Sequence, residues 1–366
     1  MFYNLIEMIQ DFLSKLGYGL CTLFGVITVV FLLFNVLPGD PARMLLDERQ
    51  DDSQLQAIRK KYGFDKPLST QYIYYLNDLS PISFHSTNEE DNSSLQSGNY
   101  SVFFKFSLYS NFDIAFKVPY LRRSFQKNGK PVTEIIAETL PNTAILAVSA
   151  IGVALLLGVL LGVLSALQKD LILDRITAVI STLGMSLPSF LSAIVFAWLF
   201  GFVLQEYTHL NMTGSLYEVD DYGDGVVLQL KNLILPAIVL GIRPLAVVIQ
   251  MMRNSLLDVL QQDYIRTAKA KGLSVTQIIT KHALKNALNP VITAISGWFA
   301  SMLAGAVFVE YIFNWNGLGK EIVEALNTLD QPVIMGAVTV IASLFILINI
   351  CVDSIYAWLD PKVRFR

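Results

Sequence analysis

The chain has 366 residues, 53% of them hydrophobic and only 16% charged, with a formal net charge of −3. Soluble domains run near 45–50% apolar and about 25% charged, so this balance points to a membrane protein, and the lack of a basic face or tail excludes a nucleic-acid binder. Cys21 and Cys351 stand at opposite ends of the chain and His85, His209 and His282 lie far apart, which excludes a disulfide framework and a metal-ligand spacing.

A membrane-crossing helix needs about 20 mostly apolar residues, because the hydrocarbon core is ~30 Å thick and each residue rises ~1.5 Å. The first qualifying run, Leu16–Leu37, follows Glu7 and Asp11, is too long for the apolar part of a signal peptide, and precedes no small-residue cleavage site. It is expected to be a retained membrane helix. The others are Thr139–Leu167, Ile176–Leu204, Leu233–Met252, Pro290–Phe313 and Val333–Trp358, so the expected fold is an all-α integral membrane protein with six transmembrane helices. With the N-terminus inside, Lys15, residues 168–175, residues 253–289 and the tail carry twelve Lys and Arg, whereas the short outer loops carry only Lys231 and Lys320. This asymmetry places both termini in the cytoplasm.

The chain then divides into residues 1–38 (N-terminus and first span), an enlarged extracytoplasmic loop 39–138, a core of five spans 139–358 and a tail 359–366. In the loop, Leu55, Ile58 and Tyr62 are spaced for a helix within Asp51–Leu79, His85–Asn99 reads as loop or disorder, and Val102–Tyr109 has the aromatic content of a strand. Gly158 and Gly162 form a GxxxG in the second span, with Gly152 before them, as expected of close helix packing. Pro188 interrupts the third span, where a kink could shape a pathway, but packing alone is the expected role of this break as of the glycines. Arg243 lies near the middle of the fourth span, a costly depth for a charge and hence a translocation-path candidate; pairing within the helix bundle is the alternative. Structural hydrogen bonding or placement at the membrane interface is the expected role of Glu310 and Asp353, near span ends.

Between the fourth and fifth spans, residues 253–289 read as helix, glycine break, helix. Lys269 and Lys271 suit a helix C-terminus, Gly272 suits the left-handed cap, and Ser274 with Gln277 fits a capping box. Ile278, Ile279, Ala283, Ala287 and Leu288 can form one apolar stripe. A short amphipathic helix held between two spans can receive a push from a partner; it can equally lie on lipid headgroups.

This loop resembles the EAA-type coupling loop of type I ABC importer permeases, in its dipeptide/oligopeptide version. The glycine is Gly272 and the second alanine Ala268, while Arg266 and Thr267 replace the general Glu and first Ala. Those replacements belong to the peptide-permease form, which Tyr264–Leu273 and His282–Ala287 follow closely. Leu37–Ala42, Tyr62–Leu68, Leu140–Thr143, Val309–Gly319, Asp353 with Tyr356, and Leu359–Pro361 are also similar to that group, leaving roughly 80–118 as a probable insertion.

The resemblance implies a type I ABC importer permease fold in the bacterial inner membrane, translocating di- or oligopeptides; nickel, glutathione or another small solute would use the same machinery. It implies a second, homologous permease, two ATP-binding subunits that use ATP and Mg, and an extracytoplasmic solute-binding protein. Ala268, Gly272 and Leu273 would form the knuckle that docks on the ATPase, with Tyr264, Arg266, Thr267, Ala270, Lys271 and His282 in or around that contact. No cofactor and no catalytic residue is expected on this chain: Gly317–Lys320 imitates a P-loop, but Asn314 stands where the first glycine belongs and Glu321 follows the lysine. An ion-gradient transporter would call for several buried carboxylates or an inverted repeat, which the chain does not display.

Overall fold

The computed structural model describes residues 2–36, 52–88, 94–95, 100–109, 112–219 and 225–359. The expected Leu37–Ala42 turn, much of the polar stretch 85–99, the Asp353 and Tyr356 side chains and the tail beyond Leu359 lie outside the described residues. Among those described, four helices are long and apolar enough to cross a membrane, and the number of membrane segments is up to six when each of two bent helix pairs is counted as one span. The chain divides into two compact units: residues 1–16, 139–321 and 344–366, and residues 17–138 and 322–343.

In chain order, α1 (Phe2–Val36) is the first span, followed by α2 (Asp52–Tyr62) and α3 (Leu68–Leu79). The helix expected over Asp51–Leu79 is thus two helices. Gly63, at φ +73°, ends the first and Pro67 caps the second. Tyr62 and Phe64 of this break stack on each other (5.9 Å) and meet Phe125 edge-on.

Strands β1 (Ile82–Ser86), β2 (Val102–Tyr109) and β3 (Phe112–Lys117) form an antiparallel sheet in the order β1-β3-β2. The strand expected at Val102–Tyr109 is present; His85 and Ser86, read as loop, belong to β1. Alternation sends Ser83, His85, Asp113, Ala115 and Lys117 to the buried side and leaves Ile82, Phe84 and Phe116 exposed. This polarity is the reverse of a sheet with one solvated face. The buried side is satisfied by hydrogen bonds: Ser83 Oγ to His85 Nε2 (2.7 Å), Lys117 Nζ to the Asp78 carbonyl (2.5 Å), and Tyr100 and Arg122 to the Asp78 carboxylate (2.9 and 3.0 Å). The same unit holds the Asp330 carboxylate, which accepts from Ser124 Oγ and from the Phe125 and Gln126 N–H groups.

The second span is α4 (Val132–Leu167), with Gly158 and Gly162 against α8 (Lys231–Leu260). A Cβ on Gly158 would stand 2.6 Å from Val248 Cγ1, and one on Gly162 would stand 2.7 Å from Met252 Cβ, so both glycines permit the close crossing. Gly152 meets nothing within 4 Å and takes no part.

The third membrane segment is not one kinked helix. α5 (Ile172–Ser186) and α6 (Ser189–Trp198), the latter continued by a π turn to Val203, are bent by 112° at Leu187–Pro188. Proline pushes its predecessor out of the helical region and lacks a donor N–H, so Leu187 is extended and Pro188 caps α6. At 15 residues α5 is about 22 Å long, short of a ~30 Å hydrocarbon core.

A one-turn helix, α7 (Gln205–Thr208), and a two-stranded ribbon, β4 (Tyr217–Val219) with β5 (Val226–Leu228), precede α8. After α8 come α9 (Asp263–Ala270), α10 (Val275–Ile278), a π turn Ile279–Ala283 and α11 (Leu284–Ala287). The fifth segment is α12 (Asn289–Gly305) with α13 (Val307–Phe313), bent by 58°. α14 (Leu318–Asn327) and the last span, α15 (Gln331–Leu359), complete the chain.

Candidate coupling site

The helix–glycine–helix segment folds as its residues dictate. Gly272 sits at φ +76°, and its N–H donates to the Lys269 carbonyl (2.9 Å) while the Leu273 N–H donates to the Ala268 carbonyl (3.3 Å). These two bonds are a Schellman closure of α9. Two residues on, Ser274 Oγ accepts from the Gln277 N–H and Gln277 Oε1 accepts from the Ser274 N–H (3.1 Å), the reciprocal capping box. The knuckle is therefore closed on one side by backbone bonds and on the other by the Ser274 and Gln277 side chains.

Its two faces differ. Ile265, Ala268, Ile278, Ala283 and Ala287 are buried with Leu256 and Met252 of α8 and Ala166 of α4. Tyr264, Arg266, Thr267, Ala270, Lys271, Gly272 and His282 are exposed, and Leu273 is half-buried. Of the expected knuckle residues, Ala268 thus faces the protein; its small side chain lets α9 approach the spans, and the free surface is left to the positions around it. Thr267 Oγ1 donates back to the Asp263 carbonyl (3.0 Å), Arg266 pairs with Asp263 (3.3 Å), and the Asn286 amide donates to the Tyr264 hydroxyl (2.8 Å), joining α9 to α11. The expected apolar stripe is present, with Ile278, Ile279, Ala283 and Ala287 buried and Leu288 half-buried; the π turn adjusts the spacing along it.

One anchor of this segment has no motif to announce it. Arg253 of α8 donates Nε to Asp174 Oδ1 (2.6 Å) and Nη2 to Asp174 Oδ2 (2.7 Å), a two-pronged ion pair with the carboxylate almost wholly buried. Asp174 also accepts from Ser165 Oγ and from the Asp170 N–H (2.9 Å), so three elements, α4, α5 and α8, meet at one carboxylate.

Of the two residues expected along the path, Arg243 lines a cleft, whereas Pro188 does not, although its neighbours Leu187 and Ser189 do. Arg243 Nη2 donates to the Leu187 carbonyl at 3.4 Å, the backbone group released by the α5–α6 break. The cleft is lined by Arg243 with Ser189, Ser192, Trp298 and Ser301 among others, and the arginine is exposed to it.

Two resembling motifs meet in space. Trp315 Nε1 donates to the Asn142 carbonyl (3.1 Å), the Asn142 amide to the Asn316 carbonyl (2.8 Å), and the Leu318 N–H to Thr143 Oγ1 (2.8 Å). Glu310, fully buried, accepts from the Gly319 and Lys320 N–H groups (2.7 and 3.1 Å) at the start of α14. Gly317 and Gly319 leave room for that carboxylate, which a Cβ at either position would strike. The P-loop-like Gly317–Lys320 is thus a helix start capped by a carboxylate.

The family model for the binding-protein-dependent transport system inner membrane component matches residues 158–365, and the model for the N-terminal part of such membrane components matches residues 8–90. The di/tripeptide transport system permease protein DppB of Pseudomonas aeruginosa is 31% identical over 373 residues, covering 98% of this chain and 100% of that protein. The dipeptide transport system permease protein DppB of Escherichia coli K12 is 31% identical over 382 residues, with the same coverage. A solved structure of the MetNI methionine ABC transporter in an inward-facing conformation aligns with a TM-score of 0.49 and 17% identity, over 62% of this chain and 97% of that one. The chain belongs to the binding-protein-dependent transport system inner membrane component family, as a multi-pass permease component of an ABC transporter.

Proposed function

We propose that this chain is the permease subunit of an ATP-driven importer of di- and oligopeptides, working with a second, homologous permease, two ATP-binding subunits and an extracytoplasmic binding protein. ATP and Mg are used by the partner ATPases, both termini are cytoplasmic, and the 253–289 loop receives the power stroke. The observation that carries the reading is the Schellman-closed knuckle at Gly272, which presents Lys271, Thr267 and Tyr264 outward while its other face is fixed to α4 and α8. A push on such a knuckle moves the spans rather than bending a loop. Arg243 faces the translocation path beside Pro188, where its guanidinium offers a partner for a peptide carboxylate. Peptides as the substrate are supported by the names of the relatives and by the peptide-type form of the loop.

The test is purification with the neighbouring subunits, reconstitution, and ATPase and uptake assays with di- and tripeptides, nickel and glutathione. Peptide-stimulated hydrolysis coupled to uptake is expected. Transport by the chain without an ATPase would overturn the importer reading, and stimulation by nickel or glutathione alone would overturn the substrate. In the same assay Gly272→Val should uncouple hydrolysis from uptake without stopping membrane insertion. The positive φ at that position disfavours a β-branched residue by roughly 1–2 kcal/mol although no neighbour crowds it.

A further inference from the structure

In β1 and β3 the three-stranded sheet turns its polar side inward, while Lys105 and Ser107 of the edge strand β2 stay exposed on that side, and a bare apolar side faces outward. Ile82 and Phe84 of β1, Phe104 and Phe106 of β2, and Ile114 and Phe116 of β3 share this outer side through the registers Ile82↔Phe116, Phe84↔Ile114, Phe104↔Phe116 and Phe106↔Ile114. Phe104 and Phe106 are each 66% exposed and Phe84 is 60% exposed. A register shift between Val102 and Phe104 brings Phe103 to the same side, its ring 6.1 Å from Phe116. An apolar patch of this extent on a folded protein marks a contact.

The way the sheet is attached indicates what covers it. β1 is clamped to the end of α3, where the Asn77 amide donates to the Phe84 carbonyl and the Phe84 N–H donates to Asn77 Oδ1, each at 2.8 Å. Two residues before Asn77, Tyr75 of α3 stacks on Phe31 of α1 at 5.7 Å, and Tyr72 meets the same ring at 5.0 Å. Phe31 lies inside the apolar stretch Leu13–Asn35 of the first span, about one turn from its end. The sheet is therefore fastened to a helix that already rests against the hydrocarbon-crossing part of α1. Among the described side chains this outer side carries no charge, and the Ser86 hydroxyl at the end of β1 is already taken by the Asn88 N–H, whereas a protein interface carries about one hydrogen bond per 100–200 Å².

We propose that this side of the sheet is seated in the interfacial layer of the bilayer leaflet from which α1 emerges, so that β1–β3 act as a membrane-resting foot of the loop between the first two spans. Shallow insertion of ~5–10 Å suits an apolar face of this kind. A protein partner, either a second permease subunit or a soluble binding protein, would instead need polar complements that the face does not offer.

The test uses the assembled importer in vesicles of phosphatidylethanolamine and phosphatidylglycerol. Cys21 and Cys351 are replaced by serine, and Phe106→Cys or, separately, Phe84→Cys is labelled with an environment-sensitive fluorophore. Lipids carrying a nitroxide near the top of the acyl chain should quench the label at least twofold, while aqueous iodide should quench it little. Ready quenching by iodide without lipid quenching would place the face in water, and protection from both would mean that protein covers it; either result overturns the proposal. The readout needs neither peptide nor ATP, so it stands apart from the transport assay.

Discussion

At the scale of single residues, Lys117 carries a cation into buried surroundings. It is buried under the sheet with Nζ on the Asp78 carbonyl, and burial lowers its pKa from 10.5 to about 8, against the opposing pull of the Asp78 charge. The cost of burying the cation is fully present below about pH 8 and fades as pH rises from there toward 10.5. Thermal unfolding of the wild-type chain and of Lys117→Met should therefore differ by a constant amount near neutrality. Between those two pH values the wild type should gain on the variant, and parallel pH profiles would refute the assignment. Tyr100, pushed up mainly by burial and then by the Asp78 charge, stays protonated over the same range and keeps its hydrogen bond. None of this is visible in the sequence, where Lys117 is one of several cations in the loop 39–138. Burial of a lysine is a tertiary fact, set by a strand register that alternation alone does not place. Gly272 is the opposite case. Its left-handed geometry, the following capping box and the basic helix end are local, so they were legible from Lys269 to Gln277 without knowledge of the fold.

At the scale of elements, helices are legible where an apolar run is long, as in α4, α8 and α15. The reading failed at breaks. Pro188 announces an interruption but not its angle, because the 112° bend depends on what α5 and α6 each pack against. Glu310 gave no sign of capping α14 across a turn, although the glycines that make room for it were noticed as a motif. The Arg253–Asp174 pair is the element-scale contact of greatest consequence, since it joins α8 to the α4–α5 connection beside the knuckle. Arg253→Met should destabilise the chain by about 2–3 kcal/mol, less than the 3–5 of a fully buried pair, because Ser165 and the Asp170 N–H still serve the carboxylate. Asp174→Asn should cost less, and the double variant less than the sum of the two single ones. An additive double-mutant cycle in chemical unfolding would show that the pair is not coupled.

At the scale of the whole molecule, six membrane segments, the amphipathic loop and the family could all be read from apolar runs and a few motifs, while the sheet's inverted polarity could not. The translocation reading makes its own demand at this scale. Arg243→Gln should raise the KM for peptides with a free C-terminal carboxylate several-fold and leave C-terminally amidated peptides unaffected; equal losses for both would remove the arginine from substrate recognition. The sheet order also has a consequence for how the chain is made. β1 pairs with β3 alone, and β3 is the last of the three strands in sequence. As the polypeptide emerges, Ile82–Ser86 has no strand partner until Phe112–Lys117 has followed it out, so the arrival of β3 is what makes both pairings of the sheet possible. During that interval a helix already docked on the first span is all that holds β1 in place. Assembly of this loop is thereby timed by the order of synthesis, with α1 and α3 as the template on which the sheet is completed.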